Sequence, residues 1–252
     1  MKKIYGSVRN MLENQKELKK IIFRVLIVLI FVIGVFLRVY GIDKMPNALN
    51  VDEASSGYDA FSIMKYGVDR NGNSFPVVLY AWGSGQSVLY SLMSIPFIAM
   101  FGLTEFSMRI AMAIVGAISL IAMYFLIKNI FDNKKLAIIG LAFFAICPWH
   151  ILKSRWGMDC NLFPDLILFA VLFLILGIKK KKVIWQILSF VMLGISSYSY
   201  ATSYLFLPIF VGITLGYLIY KKEISIKRAV RIFRNCFCDF VATDCISYYK
   251  YF

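Results

Sequence analysis

Apolar residues occur along this chain in long uninterrupted blocks that are separated by short polar segments. A helix that spans a bilayer needs about 20 predominantly apolar residues. Blocks close to that size lie at 21–40, 110–127, 136–152, 162–178, 183–201 and 203–220. A seventh block, at 87–102, is shorter and carries Pro96 near its centre. The pattern predicts an all-α, polytopic transmembrane protein with about six spans.

The composition agrees with this prediction, because 60% of the 252 residues are hydrophobic. The net charge of +14 could indicate nucleic-acid binding, but its distribution argues otherwise. If the 87–102 block lies in the interface and the N-terminus is cytoplasmic, most of the 28 basic residues fall on the inner side, as the positive-inside rule requires. The residues left outside are Arg38, Lys44, Lys65, Arg70, Arg109, Lys153 and Arg155. We therefore expect an integral protein of the cell membrane with no nucleic-acid partner.

The chain divides into three parts on these grounds. Residues 1–20 form a basic cytoplasmic arm, 21–220 form the membrane domain with a large outer loop at 41–109, and 221–252 form a tail. The tail holds three of the five cysteines, Cys236, Cys238 and Cys245, where a further span would be expected to begin. Its composition indicates an aberrant or truncated ending. The cysteines and the single His150 have no metal-ligand spacing, so neither zinc nor a structural disulfide is expected.

The outer loop places two adjacent carboxylates, Asp52 and Glu53, at the start of a helix. Asn50 and Glu53 have the spacing of an N-cap and its reciprocal glutamate. Ala54, Tyr58 and Phe61 would form one apolar stripe of a helix on the membrane surface, which Gly67 would end. A flexible stretch at 81–87 would precede a second surface helix at 87–102. With 150–161 as another outer loop, the acidic pair, Arg109, Lys153, Arg155 and Asp159 would lie at one membrane depth.

These residue types suit transfer of a sugar from a lipid-linked phosphate. An arginine binds two phosphate oxygens with its planar guanidinium, and a carboxylate can accept the proton of an attacking hydroxyl. Each residue also has a simpler interpretation. Acidic residues in a first helical turn are favoured by the helix dipole, and basic residues at span ends often reach the interface. His150, beside Trp149, is more typical of an interfacial residue than of a catalyst.

Three segments resemble a known family. They are DE followed by GYDA within 52–60, FGLTEFSMRIAMAIVGAISLIAMYFL at 101–126, and CPWHILKSRWGMDCNLFP at 147–164. The chain is similar in them to membrane glycosyltransferases of the GT-C fold that use polyprenyl-phosphate sugars, namely protein O-mannosyltransferases and bacterial aminoarabinose transferases. The resemblance implies that Asp52 is the catalytic base, with Glu53 beside it, and that Arg109 is the arginine at the start of the second span. The chain lacks the Lys-Pro-Pro segment of the aminoarabinose transferases and is about half the usual length.

The sequence thus predicts transfer of a sugar from a polyprenyl-phosphate donor to a protein, lipid or glycan hydroxyl at the outer membrane face. Donor-phosphate contacts are assigned to Arg109, Arg155 and Lys153, and further substrate contacts to Tyr58, His150 and Asp159. No cofactor is certain, and a divalent metal is left open. The alternatives are an oligosaccharyltransferase, a lipid or ion transporter, and a non-catalytic remnant.

Overall fold

The computed structural model describes residues 2–81 and 84–221 together with Ser225 and Lys227. The tail predicted at 221–252 lies almost entirely outside the described residues, and so do Cys236, Cys238 and Cys245.

Helices account for nearly all regular structure in the part that is described. In chain order the elements are α1 (Lys2–Val39), α2 (Val51–Tyr66), β1 (Val78–Ala81), β2 (Ser84–Ser87), α3 (Val88–Phe101), α4 (Glu105–Phe131), α5 (Lys134–Ile146), α6 (Pro148–Arg155), α7 (Asp159–Lys180), α8 (Val183–Ser197) and α9 (Ser203–Tyr220).

Each predicted apolar block is helical, and the all-α polytopic fold is confirmed. Within the described ranges, α1 from Asn14 onward, α4, α7 and α9 are long and apolar enough to cross a membrane. Helices α5 and α6 together form a fifth candidate span, bent by 55° between them. Helices α3 and α8 are apolar but shorter, with 14 and 15 residues. The count of six spans stays a prediction, since it depends on α8.

Helix α4 lies at the centre of the bundle and packs against α1, α3, α5, α6 and α7. Its buried Met112 joins Tyr90 of α3 and Leu162 of α7 in one apolar cluster. Lower on the same helix, Leu120 packs with Leu141 of α5. Because α4 contacts both α3, a helix of the first loop, and the candidate spans, it fixes the first loop relative to the rest of the bundle.

The start and the end of α2 are as predicted, but the capping box predicted at its start is not formed. The Asn50 side chain accepts a hydrogen bond from the Asp52 N–H at 3.0 Å, and Gly67 ends the helix with φ 72°. However, Glu53 does not complete a capping box, because its carboxylate points into the protein. Of the predicted apolar stripe, Ala54 and Tyr58 are exposed, whereas Phe61 packs against the buried cluster that contains Met108.

The inward face of α2 instead consists of small and polar residues. They are Glu53, Ser55, Ser56, Gly57, Asp59, Ala60 and Ser62. A Cβ on Gly57 would lie 1.9 Å from the sulfur of Met108, so the small residue permits close contact with α4. Steric access and buried polar partners, rather than apolar periodicity, therefore decide which face of α2 turns inward.

Two further loop predictions are wrong. The stretch at 84–87, expected to be flexible, is strand β2, which pairs antiparallel with β1. The segment expected to be an outer loop at 150–161 is helical as far as Arg155, and His150, Lys153, Ser154 and Arg155 are buried in α6. Pro148 occupies the first turn of α6, a position that needs no backbone donor, and this allows a new helix to start directly after α5.

Candidate active site at the first loop

The two adjacent carboxylates of α2 have different surroundings. Glu53 is fully buried and forms an ion pair with Arg109 of α4, which is also fully buried. Glu53 Oε1 accepts hydrogen bonds from Arg109 Nε at 2.8 Å and from the Gly157 N–H at 3.0 Å. Glu53 Oε2 accepts one from Arg109 Nη2 at 3.0 Å. This pair therefore joins α2, α4 and the segment between α6 and α7.

Every N–H of the Arg109 guanidinium has an acceptor within the protein. Besides the two bonds to Glu53, Nη1 donates to the carbonyls of Ile42 at 3.0 Å and Pro46 at 3.1 Å, and Nη2 donates to that of Ala48 at 2.9 Å. A guanidinium carries five N–H donors, so its capacity is filled. Arg109 thus fixes the irregular turn between α1 and α2, whose buried carbonyls need donors.

Gly157 allows the Glu53 carboxylate to approach the backbone. A Cβ at this position would lie 2.5 Å from the carbonyl oxygen of Met108, 2.8 Å from the hydroxyl of Tyr90 and 3.2 Å from Glu53 Oε1. The Tyr90 hydroxyl donates to the same Met108 carbonyl. Burial raises the pKa of the Tyr90 phenol well above its ordinary value, so this hydroxyl keeps its proton and remains a donor.

Asp52 is half-buried, and among the described residues its carboxylate has no hydrogen bond or ion pair. Its backbone is held, because the Asp52 carbonyl accepts a hydrogen bond from Gln86 Nε2 at 3.1 Å. The next residue of the hairpin, Ser87, donates its N–H to Asp159 Oδ2 at 3.0 Å. Asp52 and Asp159 interact electrostatically. Neighbouring residues at the end of β2 therefore bind both Asp52 and Asp159, which we call the carboxylate pair.

The residues predicted to bind the donor phosphate are occupied by protein groups. Arg155 donates to the carbonyls of Met45, Leu37 and Gly41 at 3.1, 2.9 and 3.0 Å. Lys153 donates to the carbonyl of Asn161 at 3.2 Å and to the Asp165 carboxylate. With Arg109, these are the three predicted cations, and all are buried. The geometry supports structural roles for them, because a phosphate would have to displace existing partners.

The predicted substrate contacts fall in three different places. Asp159 belongs to the carboxylate pair. His150 is only 1% exposed, and both of its ring nitrogens have protein partners, Arg38 and Asp165. Tyr58 is 53% exposed on the outward face of α2. Of the three residues, only Asp159 lies beside Asp52.

Sequence reasoning did not single out several residues that position this site. Gln86 and Gly157 contact the two acidic residues directly, yet each is a common residue type in a polar stretch and carries no distinctive signal. Arg38 gave a usable signal, because a charged residue near the end of an apolar block is costly unless it has a partner. Asp59 was quoted only as part of a motif; it is fully buried and binds Arg70 with both carboxylate oxygens.

A divalent metal was left open by the sequence. Throughout the described part of the chain, no group of three or more His, Cys, Asp or Glu residues could hold a metal ion. Two carboxylates fit Mg²⁺ only in the mode in which substrate phosphate oxygens and water complete the coordination. Asp52 and Asp159 would be the protein ligands in that case, and the ion would neutralise charge on the leaving phosphate.

These features define an integral membrane protein in which a loop after the first span presents paired acidic residues beside the helical bundle. The family model of dolichyl-phosphate-mannose-protein mannosyltransferases matches residues 87–233, more than half of the chain. The chain belongs to this family.

A solved structure shows the same fold. The oligosaccharyltransferase of Archaeoglobus fulgidus, in its apo form, superposes with a TM-score of 0.61 at 14% sequence identity. The match covers 78% of this chain and 26% of that one, so this chain spans about a quarter of its length. A search of curated proteins finds no match. The GT-C glycosyltransferase relationship predicted from the sequence is thereby confirmed at the level of family and fold.

Proposed function

We propose that this protein transfers a sugar from a polyprenyl-phosphate donor to an acceptor hydroxyl at the outer face of the membrane. The observation that carries the proposal is the Asp52 carboxylate, which has no hydrogen-bond or ion-pair partner among the described residues, while its neighbour Glu53 is fully paired. Asp52 and Asp159 interact electrostatically. A base needs an available carboxylate, and Asp52 is the member of the predicted acidic pair that has one.

In the proposed reaction, the acceptor oxygen attacks the anomeric carbon of the sugar, and the bond from that carbon to the phosphate oxygen breaks. The acceptor proton passes to Asp52, and the polyprenyl phosphate leaves as an anion. A positioned general base of this kind contributes roughly 100- to 10,000-fold to the rate. Asp159, in the first turn of α7, forms the wall of the site opposite α2. The Glu53–Arg109 ion pair positions the first turn of α2, which carries Asp52.

The donor class is supported by the family, whose name includes a polyprenyl-phosphate sugar, dolichyl-phosphate-mannose. The acceptor, whether protein, lipid or glycan, is the less constrained half of the proposal. The likeness to an oligosaccharyltransferase concerns the fold and does not distinguish between these acceptors. An oligosaccharyltransferase reaction would need a divalent ion and a diphosphate donor, so the assay includes both donor types.

The test uses the full chain, purified into lipid nanodiscs and supplied with labelled dolichyl- or undecaprenyl-phosphate mannose, a serine- and threonine-containing peptide and a lipid extract. We expect wild-type protein to transfer the label and Asp52→Asn to lose at least about 100-fold in kcat. Asp43→Asn is the matched control, because Asp43 is an exposed carboxylate on the neighbouring turn. Equal activity of wild-type and Asp52→Asn protein would contradict the role of Asp52.

The metal alternative is tested in the same assay. Activity that is lost with EDTA and restored by Mg²⁺ or Mn²⁺ would assign Asp52 and Asp159 to an ion. Activity that survives EDTA supports the general-base mechanism. Transfer only from a diphosphate-linked donor would favour the oligosaccharyltransferase alternative.

The proposed orientation rests on the distribution of basic residues and has its own test. Lys65 at the end of α2 and Lys134 at the start of α5 are both exposed. Single cysteines at these positions, in a background without other cysteines, should react with a membrane-impermeant reagent from opposite sides. Labelling of both positions from the same side of the membrane would contradict the proposed orientation.

A further inference from the structure

A second group of ionisable side chains is buried where α1, α6 and α7 meet. It consists of Arg38, His150, Lys153 and Asp165, which we call the elbow network because it lies beside the bend between α5 and α6. The four residues are between 0% and 4% exposed. The proposed reaction uses none of them, and burial of several charges requires close pairing to be tolerated.

The bend between α5 and α6 leaves a backbone carbonyl without its helical donor, and Arg38 supplies one. Pro148 has no N–H, so the carbonyl of Phe144, four residues earlier, loses its usual helical partner. Arg38 Nη2 donates to that carbonyl at 3.1 Å, and Arg38 Nη1 donates to the carbonyl of Ala145 at 3.0 Å. Arg38 of α1 therefore supplies donors to the end of α5 at the point where the chain turns.

The same guanidinium determines the state of His150. Arg38 Nη2 lies 2.7 Å from His150 Nδ1, and an arginine can only donate, so Nδ1 must be the acceptor and carries no proton. His150 Nε2, 3.1 Å from Asp165 Oδ1, must then hold the ring proton and donate it to the carboxylate. The other oxygen of Asp165 accepts from Lys153. The contacts assign one neutral tautomer to His150.

The groups around His150 on each packed element agree with this assignment. Helix α1 contributes Arg38, α6 contributes Lys153 and the hydroxyl of Ser154, and α7 contributes Asp165. Helix α5 contributes the ring of Phe144, whose centroid is 4.0 Å from that of the imidazole. Two cations and an apolar ring disfavour a further positive charge on His150, and one carboxylate favours the Nε2 proton.

The elbow network continues toward the candidate site. Lys153 Nζ also binds the carbonyl of Asn161 in the first turn of α7, and Asn161 Nδ2 donates to the carbonyl of Trp156 at 3.2 Å. Between these two residues lie Gly157, which donates to Glu53, and Asp159 of the carboxylate pair. The short junction of α6 and α7 is thus held by two sets of contacts. Lys153 binds it through Asn161, and the first loop binds it through Gly157 and Asp159.

We propose that the elbow network is a positioning device. Asp165 joins Lys153 to a single neutral tautomer of His150 that Arg38 holds, and Lys153 in turn sets the α6–α7 junction that carries Asp159. Its effect on catalysis rests on the proposed function. Its existence as a hydrogen-bonded unit does not, and the two parts are therefore tested separately.

The first test uses the fact that His150 is the only histidine of the chain. Nitrogen NMR of the full chain in nanodiscs, labelled with ¹⁵N-histidine, reports one ring without any assignment problem. Between about pH 6 and 8, where an ordinary histidine titrates, we expect one protonated nitrogen, Nε2, and one unprotonated nitrogen, Nδ1, throughout. An imidazolium signal, or a proton on Nδ1, would overturn the proposal.

A substitution checks the cause of that signal. Arg38→Met removes the donor to Nδ1, so the single tautomer should give way to a mixture of tautomers or to titration within this pH range. Arg70→Met is the matched control, since Arg70 binds Asp59 in the outer loop and should leave the spectrum unchanged. An unchanged spectrum in Arg38→Met would show that Arg38 does not set the tautomer.

The second test measures positioning by donor turnover, with dolichyl- or undecaprenyl-phosphate mannose as the probe. The paired variant Lys153→Met with Asp165→Asn removes both charges and keeps an acceptor oxygen for His150 Nε2. We expect the His150 spectrum to be retained, because Nε2 keeps its acceptor. We expect kcat to fall about 10- to 100-fold, because Asp159 is displaced. KM for the donor should stay unchanged, because the variant does not alter the binding of the donor. An unchanged kcat would overturn the positioning role.

The two tests also separate the failure of one proposal from that of the other. Wild-type protein without turnover but with the expected His150 spectrum would contradict the proposed function and leave the network intact. Wild-type turnover with a titrating His150 would contradict the network and leave the function intact.

Discussion

The carboxylate pair and the Glu53–Arg109 ion pair share the start of α2, yet they differ in how their charge is neutralised. Glu53 accepts three hydrogen bonds, and its partner Arg109 donates to six acceptor atoms, one of them on Glu105 at 3.4 Å. The Asp52 carboxylate accepts none from any described residue, and the Asp159 carboxylate accepts hydrogen bonds only from backbone N–H groups. The polar groups of the Glu53–Arg109 ion pair therefore hold the chain in place, whereas the carboxylate pair keeps the Asp52 carboxylate available.

The difference arises from a single step along a helix. Successive residues of an α-helix point about 100° apart, because 3.6 residues make one turn. The Asp52 side chain therefore points in a different direction from that of Glu53, which faces α4. Adjacent acidic residues of one motif can therefore have different roles, one structural and one catalytic. We predict that substitutions at the Glu53–Arg109 ion pair will mainly lower stability, and that substitutions at the carboxylate pair will mainly lower activity.

The largest effect is expected from breaking the ion pair. Arg109→Met would leave the buried charge of Glu53 unpaired and the carbonyls of Ile42, Pro46 and Ala48 without donors. Removal of one partner of a buried ion pair costs about 3–5 kcal/mol of unfolding free energy. We expect Arg109→Met to lower the thermal stability of the protein in detergent sharply or to prevent its accumulation, as measured by thermal unfolding and by yield.

The control for this prediction is the paired variant Arg109→Met with Glu53→Gln, which removes both charges. It should recover part of the lost stability, because no uncompensated charge remains. If Arg109→Met were as stable as wild type and lost only donor binding, the original assignment of Arg109 to the donor phosphate would be restored.

A smaller loss of stability is expected where the two regions meet at Gly157. In Gly157→Ala the new Cβ would press on the Met108 carbonyl, on Tyr90 and on Glu53. Overpacking of this kind costs about 1–3 kcal/mol. Thermal unfolding should show this loss, whereas Gly212→Ala on α9, where a Cβ meets nothing within 4 Å, should not. Equal stability of the two variants would mean that the close contact at Gly157 is easily relieved.

The elements of the fold followed from the sequence far better than these contacts did. Apolar blocks, Asn50 and Gly67 are local signals, and the helices begin and end close to where such signals put them. The partners of Glu53 and Arg38 are distant in sequence, since Arg109 is 56 residues from Glu53 and Ala145 is 107 residues from Arg38. Residue type indicated Asp52, Glu53 and Arg109, but only packing determined which of them would be paired.

The inward face of α2 could not be predicted from the sequence for a similar reason. Ala54, Tyr58 and Phe61 form a genuine stripe in the sequence, but a stripe does not state whether it meets protein or the surroundings. Gly57 and Asp59, on the other face, fit against Met108 and Arg70. In a membrane protein an apolar stripe carries less information about the protein interior, because lipid is as apolar as a core.

The comparison can be sharpened at Gln86, which holds the backbone of Asp52 without touching its carboxylate. Gln86→Glu keeps the size of the side chain but replaces the donor with a carboxylate, which only accepts hydrogen bonds when ionised. A lost hydrogen bond of this kind is worth about 0.5–1.5 kcal/mol. We expect a modest loss of stability but a larger loss of kcat, about 10-fold, since the base is displaced.

Gln86→Met is the matched variant, because it removes the donor without adding a charge. Both variants should lose kcat at unchanged KM for the donor in the nanodisc assay. If Gln86→Glu alone were impaired, repulsion between carboxylates would be the cause, and the hydrogen bond to the Asp52 carbonyl would have no positioning role.

The smallest effect is expected at Tyr58, the predicted substrate contact that points away from both regions. Its side chain is 53% exposed, and exposed substitutions usually change unfolding free energy by less than about 0.5 kcal/mol. Tyr58→Phe should leave the thermal unfolding temperature unchanged and kcat within about twofold of the wild-type value. A raised KM for the acceptor with unchanged kcat would instead show that the acceptor extends across the outward face of α2. In that case the carboxylate pair would be one end of a longer binding surface, and the division between the two regions would apply to the chemical step alone.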